Sequence, residues 1–215
     1  MEVNQTPTAN CSVFIVDDDP AARESVAALV GSHDVSTQTF ASAAEFLAAY
    51  EPSQRGCLVV DVRMTGMTGL ELQQELSVRG YRIPVIVITG FADVPTAVRA
   101  MRAGAVTFLE KPCSDKELWA SIETALQWEA RSRQQYTQRE DILARRATLT
   151  PAEVQVLERL IAGKANKAIA AELDLGLRTV ELRRATIMKK MEANSLAELV
   201  RLILSIEGPT DATVP

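Results

Sequence analysis

The feature that most restricts the fold of this chain is a change of periodicity partway along it. Short runs rich in Val and Ile recur at residues 13–16, 35–40, 58–62, 85–89 and 106–109. Between and after them lie helical patterns over residues 20–30, 43–50, 69–79, 95–103 and 115–128. Strands and helices that alternate in this way build a parallel sheet with helices on both faces, since parallel neighbours need a crossover to connect them. Beyond residue 128 no strand pattern survives, and the ordered elements up to residue 206 read as helices.

Punctuation residues agree with that division. Ser42 with Glu45 and Ser114 with Glu117 have capping-box spacing, and Asp19 precedes Pro20 as an N-cap precedes a first-turn proline. Gly80 and Gly104 stand where helices end. Residues 129–147 are polar and free of Gly and Pro, which predicts a helical linker between a first domain over 11–128 and a second over 148–207. In the second, Thr150 with Glu153 opens a helix to Ile161, and 166–173 and 177–191 are two more. Ser195 with Glu198 caps a fourth, running to Ile206; the tail, 208–215, is expected to be disordered.

The net charge of −5 is a sum over unlike parts. Residues 1–127 hold 9 Lys and Arg against 16 Asp and Glu, whereas residues 147–215 hold 9 of each. Within the latter, the stretch from Lys164 to Lys190 has 7 basic and 3 acidic residues, so an acidic total does not exclude a polyanionic partner. Cys11, Cys57 and Cys113 lack metal-type spacing and are odd in number, which argues against a disulfide framework and a zinc site. The longest apolar stretch, 83–88, is far short of the roughly 20 residues a membrane helix needs. Residues 1–10 lack the pattern of a secretory signal, so a cytoplasmic location is expected.

In open α/β sheets chemistry collects beyond the carboxyl ends of the strands. Asp17, Asp18 and Asp19 follow the first strand, Asp61 ends the third, Thr89 the fourth, and Lys111-Pro112 the fifth. Carboxylates from neighbouring strand ends repel unless a cation sits among them, and hard oxygen ligands suit Mg²⁺. A lysine could counter an added phosphoryl group and a threonine hydroxyl could bond one of its oxygens. The pattern predicts a carboxylate that accepts a phosphoryl group.

This set, with the stretches VVDVRMTGMTGLEL and GFADVPTAVRAMRAGAVTFLEKP, resembles the receiver domain of bacterial response regulators over residues 11–128. The resemblance implies a five-stranded, doubly wound, flavodoxin-like fold in which Asp61 is the phosphoacceptor and Asp18 a direct Mg²⁺ ligand. Asp17 would act through a water, Arg63 through its backbone carbonyl, Thr89 as switch hydroxyl, Lys111 as phosphate partner and Phe108 as the aromatic switch. It also implies a cis Lys111-Pro112 bond. Thr65 stands where the family usually has proline, which is expected to leave the loop less rigid without removing a ligand. Cys113 replaces a common aromatic, at some loss of packing. His33, the only histidine, is expected to be solvated.

The stretch LTPAEVQVLERLIAGKANKAIAAELDLGLRTVELRRATIMKKMEANSLAELVRL resembles the LuxR-type helix-turn-helix domain, and the chain as a whole resembles the FixJ/NarL class of response regulators. At 100° per residue, Val180, Ile187 and Met191 form a core stripe on the recognition helix. Arg178, Leu182, Ala185 and Lys189 face the other way, flanked by Thr179, Glu181 and Thr186. Glu181 could accept from a cytosine amino group, and Leu182 or Ala185 could touch a thymine methyl. Lys164, Lys167, Arg183, Lys189 and Lys190 are candidates for DNA phosphates. Arg184, near the core stripe, could equally pair internally. Gly176 replaces a common Ser or Thr cap, and Asp174 occupies a turn glycine position.

The expectation is a transcription regulator rather than an enzyme, catalysing only transfer to itself and slow self-dephosphorylation. Its partners would be double-stranded DNA, a sensor histidine kinase, RNA polymerase and, once phosphorylated, a second copy of the chain, with no membrane involved. Val94, Val98 and Met101 are candidate dimer contacts, core packing being the alternative for them. Two other readings are a phosphorylation-independent DNA binder that uses the receiver as an interaction platform, and an aspartyl-phosphate phosphohydrolase.

Overall fold

The computed structural model describes residues 11–207, so the expectation of a disordered tail at 208–215 falls outside the described residues. Two compact units divide at Arg133 and Gln134. In the first, β1 (Ser12–Val16), β2 (Ser36–Phe40), β3 (Gly56–Asp61), β4 (Val85–Thr89) and β5 (Ala105–Glu110) form one parallel sheet in the order β2-β1-β3-β4-β5. The order reverses between β1 and β3, which opens a crevice at their carboxyl ends.

Residue alternation explains why both faces of this sheet are covered. Phe14, Val16, Leu58, Val60, Val85 and Val87 turn to one side. They meet Phe46 of α2 (Ala43–Ala49), Leu72 and Leu76 of α3 (Gly69–Val78) and Ala100 of α4 (Val94–Arg102). Val13, Ile15, Cys57, Val59, Ile86 and Ile88 turn to the other. There they meet Val30 of α1 (Pro20–Gly31) and Leu118, Ile122 and Leu126 of α5 (Asp115–Ala147). Strands buried on both faces read as continuous apolar runs, which is why β1, β3 and β4 are legible in the sequence.

The helix starts are built as their sequences suggest. Asp19 accepts from the Ala21 N–H, and Ser42 from that of Glu45. Gly80 and Gly104 take φ of 71° and 86° past their helices, a region that glycine enters without penalty. His33 is exposed, as expected of a solvated residue, and one face of its ring stacks flat on Trp119, ring centroids 3.7 Å apart and planes 3° from parallel.

The helix predicted over 115–128 and the linker after it are one continuous helix of 33 residues, α5. No Gly or Pro interrupts it, and its polar composition is compatible with solvent on most sides. The second unit contains the end of α5 with α6 (Pro151–Ile161), α7 (Asn166–Glu172), α8 (Leu177–Lys190) and α9 (Leu196–Glu207). Its core joins Ile142, Val156, Leu157, Leu160, Ile169, Val180, Ile187, Met191, Leu199 and Ile203. Asp174 turns the chain between α7 and α8 at φ 52°, a conformation Asp tolerates better than most residues. No described helix is long and apolar enough to cross a membrane.

Candidate functional site

At the β1/β3 crevice, three carboxylates meet one ammonium. Lys111, just past β5, donates from Nζ to Asp17 Oδ2 at 2.6 Å and to Asp61 Oδ1 at 2.7 Å. Asp17 and Asp61 are almost fully buried, so each needs partners. The Asp19 N–H takes the other oxygen of Asp17 at 2.9 Å, and the Arg63 N–H takes Asp61 Oδ2 at 2.6 Å. Partial burial works against the Lys111 charge, but its hydrogen bonds to Asp17 and Asp61 outweigh this and hold its pKa above the ordinary lysine value.

Asp18 is exposed at the mouth. The Thr65 N–H and hydroxyl both donate to its Oδ2, each at 2.9 Å, and these bonds, the backbone one foremost, hold the Asp18 carboxyl below the usual aspartate range. The lack of a proline at this position predicts a looser loop; instead Thr65 ties it to the end of β1, using two donors that proline lacks. Three carboxylates against one ammonium leave a negative excess made only of hard oxygens. Among the described residues no group of three or more acid, His or Cys side chains is arranged so that these alone could hold a metal ion. Mg²⁺, however, keeps several waters and takes one or two carboxylates, so this open, oxygen-only set fits it.

Thr89 is fully buried at the end of β4; its Oγ1 accepts from the Phe91 N–H at 3.2 Å, and its carbonyl accepts from the Lys111 N–H at 2.7 Å. It is thus joined to Lys111 through backbone. Among the described residues its hydroxyl makes no hydrogen bond to Asp61. Phe108 is half-buried and packs on the core beside α4. Phe91, Val94, Val98 and Met101 are all exposed, which answers the core-packing alternative for the last three. The Arg63 guanidinium lies over the Phe91 ring, 3.7 Å from its centroid. Lys111-Pro112 is cis.

Two further residues shape this site that sequence reasoning does not single out. Arg23 of α1 donates to the Asp17 carbonyl. Gly69 lies so close to β3 that a Cβ there would stand 2.2 Å from the Asp61 carbonyl oxygen. Glycine after a capping threonine is a visible signal; the close approach to Asp61 is not.

In the second unit, α8 buries Val180 and Ile187 and exposes Arg178, Glu181, Leu182, Ala185, Thr186 and Lys189. Spacings of three and four place these on one face. Thr179 and Arg183 are half-buried at its margins. Lys167, Arg178, Arg183 and Lys189 make no ion pair among the described residues, whereas two other candidate cations are engaged internally. Lys190 donates to Glu153 at 2.7 Å and to the Thr148 carbonyl at 3.0 Å, and Lys164 pairs with Glu172. The Lys190 bond, with the Thr150 N–H, holds the nearly buried Glu153 carboxyl below its ordinary value. Arg184, near the core stripe, takes the internal alternative and donates to Asn166 Oδ1 at 3.4 Å.

Comparison with known proteins places these two sites in context. Residues 13–123 match the response regulator receiver domain, and residues 147–203 match the bacterial regulatory proteins of the luxR family. The transcriptional regulatory protein FixJ of Azorhizobium caulinodans is 47% identical over 204 residues, covering 94% of this chain and 97% of its own. The response regulator protein TodT of Pseudomonas putida is 40% identical over 190 residues, covering 88% and 84%. Among solved structures, the response regulator StyR superposes with a TM-score of 0.83 at 42% identity, over 91% of this chain and 99% of its own. Full-length FixJ from B. japonicum does so with a TM-score of 0.57 at 44% identity, over 93% and 98%.

Proposed function

From the premise that this chain belongs to the response regulators that join a receiver to a LuxR-type DNA-binding domain, we propose that Asp61 is its phosphoacceptor and that phosphorylation controls binding of double-stranded DNA. The observation that carries this reading is Lys111, whose ammonium bridges Asp17 and Asp61 at 2.6 and 2.7 Å. A cation already on the acceptor carboxylate is placed to follow charge onto a phosphoryl group attached there.

In the proposed transfer an Asp61 oxygen attacks the phosphorus of a phosphohistidine on a sensor kinase. The P–N bond breaks, its electron pair leaves with the imidazole, and an acyl phosphate forms on Asp61. Lys111 pairs with the new oxygens, and the Thr89 hydroxyl turns from the Phe91 N–H to one of them. Mg²⁺, held by Asp18, Asp61 and the Arg63 carbonyl with Asp17 acting through water, would neutralise charge on the transferring group. The role of the protein is positioning and electrostatics, as in phosphoryl transfer generally.

Movement of Thr89 and Lys111 biases the ends of β4 and β5 and, with Phe108, the adjoining α4. The exposed Val94, Val98 and Met101, with Phe91, form the apolar surface through which two phosphorylated copies would pair. A dimer presents two α8 helices to a two-fold site. Arg178, Thr179, Glu181, Leu182 and Ala185 read the groove; Lys167, Arg183 and Lys189 take phosphates. Lys164 and Lys190 would have to leave Glu172 and Glu153 to join them. RNA polymerase and a cytoplasmic setting complete the proposal.

Intact-mass measurement after incubation with acetyl phosphate tests it. A single phosphoryl adduct that requires Mg²⁺ and is absent from Asp61→Asn is the expected result. No adduct, or an equal one on the variant, removes Asp61 as acceptor.

A further inference from the structure

The double hydrogen bond from Thr65 to Asp18 does more than tether a loop. Both the N–H and the hydroxyl end on the same atom, Oδ2, at 2.9 Å each, across 47 residues of sequence. A carboxylate oxygen offers two lone pairs, so two donors occupy Oδ2 fully and leave Oδ1 as the free coordinating atom. Asp18 and Thr65 are both exposed, so this carboxylate is held by the two Thr65 bonds rather than by core packing.

We propose that Thr65 is a positioning residue that presents Asp18 to a divalent cation through Oδ1 alone, and that this selects Mg²⁺ over Ca²⁺. Mg²⁺ demands near-octahedral geometry and takes a carboxylate by one oxygen, whereas Ca²⁺ accepts both oxygens of one carboxylate and more ligands overall. Blocking Oδ2 denies Ca²⁺ its two-oxygen mode and costs Mg²⁺ nothing. Fixing the carboxylate also removes the ordering that Mg²⁺ would otherwise have to impose. This role for Thr65 rests on the acidic pocket being a cation site, and the Asp18 variant separates the two.

Calorimetric titration of the full chain with MgCl2 and, separately, CaCl2 tests it on wild type, Thr65→Val, Thr65→Ser and Asp18→Asn. Loss of a hydrogen bond to a metal ligand commonly weakens binding ~10- to 100-fold, and one of two bonds on an exposed loop belongs near or below the low end, about 3- to 10-fold. Thr65→Val should therefore weaken Mg²⁺ by that factor while Ca²⁺ binding holds or tightens. Thr65→Ser, which keeps the hydroxyl, should restore the wild-type ratio. The Mg²⁺-to-Ca²⁺ ratio for one preparation does not depend on the fraction folded, so a destabilised variant remains informative. If Asp18→Asn loses Mg²⁺ but Thr65→Val keeps both its affinity and its ratio, the cation site stands and the role of Thr65 falls. Equal weakening of both cations also overturns the selectivity. If wild type takes up no Mg²⁺, or Asp18→Asn binds as wild type does, the cation reading fails and takes the role of Thr65 with it.

Discussion

Lys111 and Asp61, 50 residues apart in sequence, are joined by a 2.7 Å hydrogen bond, and the same ammonium holds Asp17 at 2.6 Å. Without it, two nearly buried carboxylates from adjacent strand ends would face one another uncompensated. Breaking a fully buried pair costs roughly 3–5 kcal/mol; Lys111 is about one-third exposed, so Lys111→Ala should destabilise the first unit by about 1–3 kcal/mol. Added Mg²⁺ should recover part of that loss. Urea melts followed by tryptophan emission measure it, since both tryptophans, Trp119 and Trp128, lie in the first unit.

Gly69 lets α3 start directly against the end of β3. A methyl group at this position would stand 2.2 Å from the Asp61 carbonyl oxygen, against rigid backbone rather than a flexible side chain. Gly69→Ala must therefore push α3 away from β3 or displace Asp61. Overpacking of this kind costs about 1–3 kcal/mol. A slower rate of phosphorylation by acetyl phosphate should accompany the lower melting point, whereas Gly31→Ala, with open space around its Cβ at the end of α1, should leave the Asp61 geometry alone.

The pH dependence of the second unit follows from Glu153. Its hydrogen bonds to Lys190 and the Thr150 N–H lower its folded pKa below the ordinary value of 4.5. A carboxyl depressed on folding contributes stability that is complete above the unfolded pKa and disappears as pH falls through the folded one. Stability of the second unit should thus drop as the pH goes below about 4.5, and Glu153→Gln should flatten that drop while lowering stability at neutral pH. Helix signal against urea at stepped pH checks both.

On α8 the face divides into residues that would read bases and residues that would only hold the backbone. Lys189→Ala should weaken binding evenly across DNA sequences and reduce the salt slope by about 0.9. Leu182→Ala, removing a side chain that is 60% exposed, should leave the slope unchanged and relax preference at one or two base pairs. Selection from a randomised duplex pool at two salt concentrations separates the two behaviours.

The parts of this molecule that are legible in the sequence are those decided by local pattern. β1, β3 and β4 are apolar on both faces, so their Val and Ile runs announce them. The capping residues Asp19, Ser42, Thr150 and Ser195 act within three or four positions of themselves. The strand-end acids and Lys111 are legible because topology alone sends them to one crevice. The tether made by Thr65 is not, because it depends on where a loop aims two donors, 47 residues from their acceptor. Lys190 and Glu153 are 37 residues apart, and nothing local reveals that a candidate phosphate contact has an internal partner. The helical character of 129–147 is legible in a polar stretch without Gly or Pro, whereas its unbroken joining to the helix before it, as α5, is not.

Phosphorylation of Asp61, on the function proposed, drives pairing through α4 and thereby DNA binding. Measuring duplex affinity and retention volume of the full chain, with and without acetyl phosphate and Mg²⁺, tests this most directly when wild type, Asp61→Asn and Val98→Asp are compared. The donor should convert wild type to a dimer and tighten its DNA binding by tenfold or more. Asp61→Asn should respond in neither assay, and Val98→Asp should be phosphorylated yet stay monomeric and bind weakly. Equal affinity in all six samples, or tightening in Asp61→Asn, would contradict it.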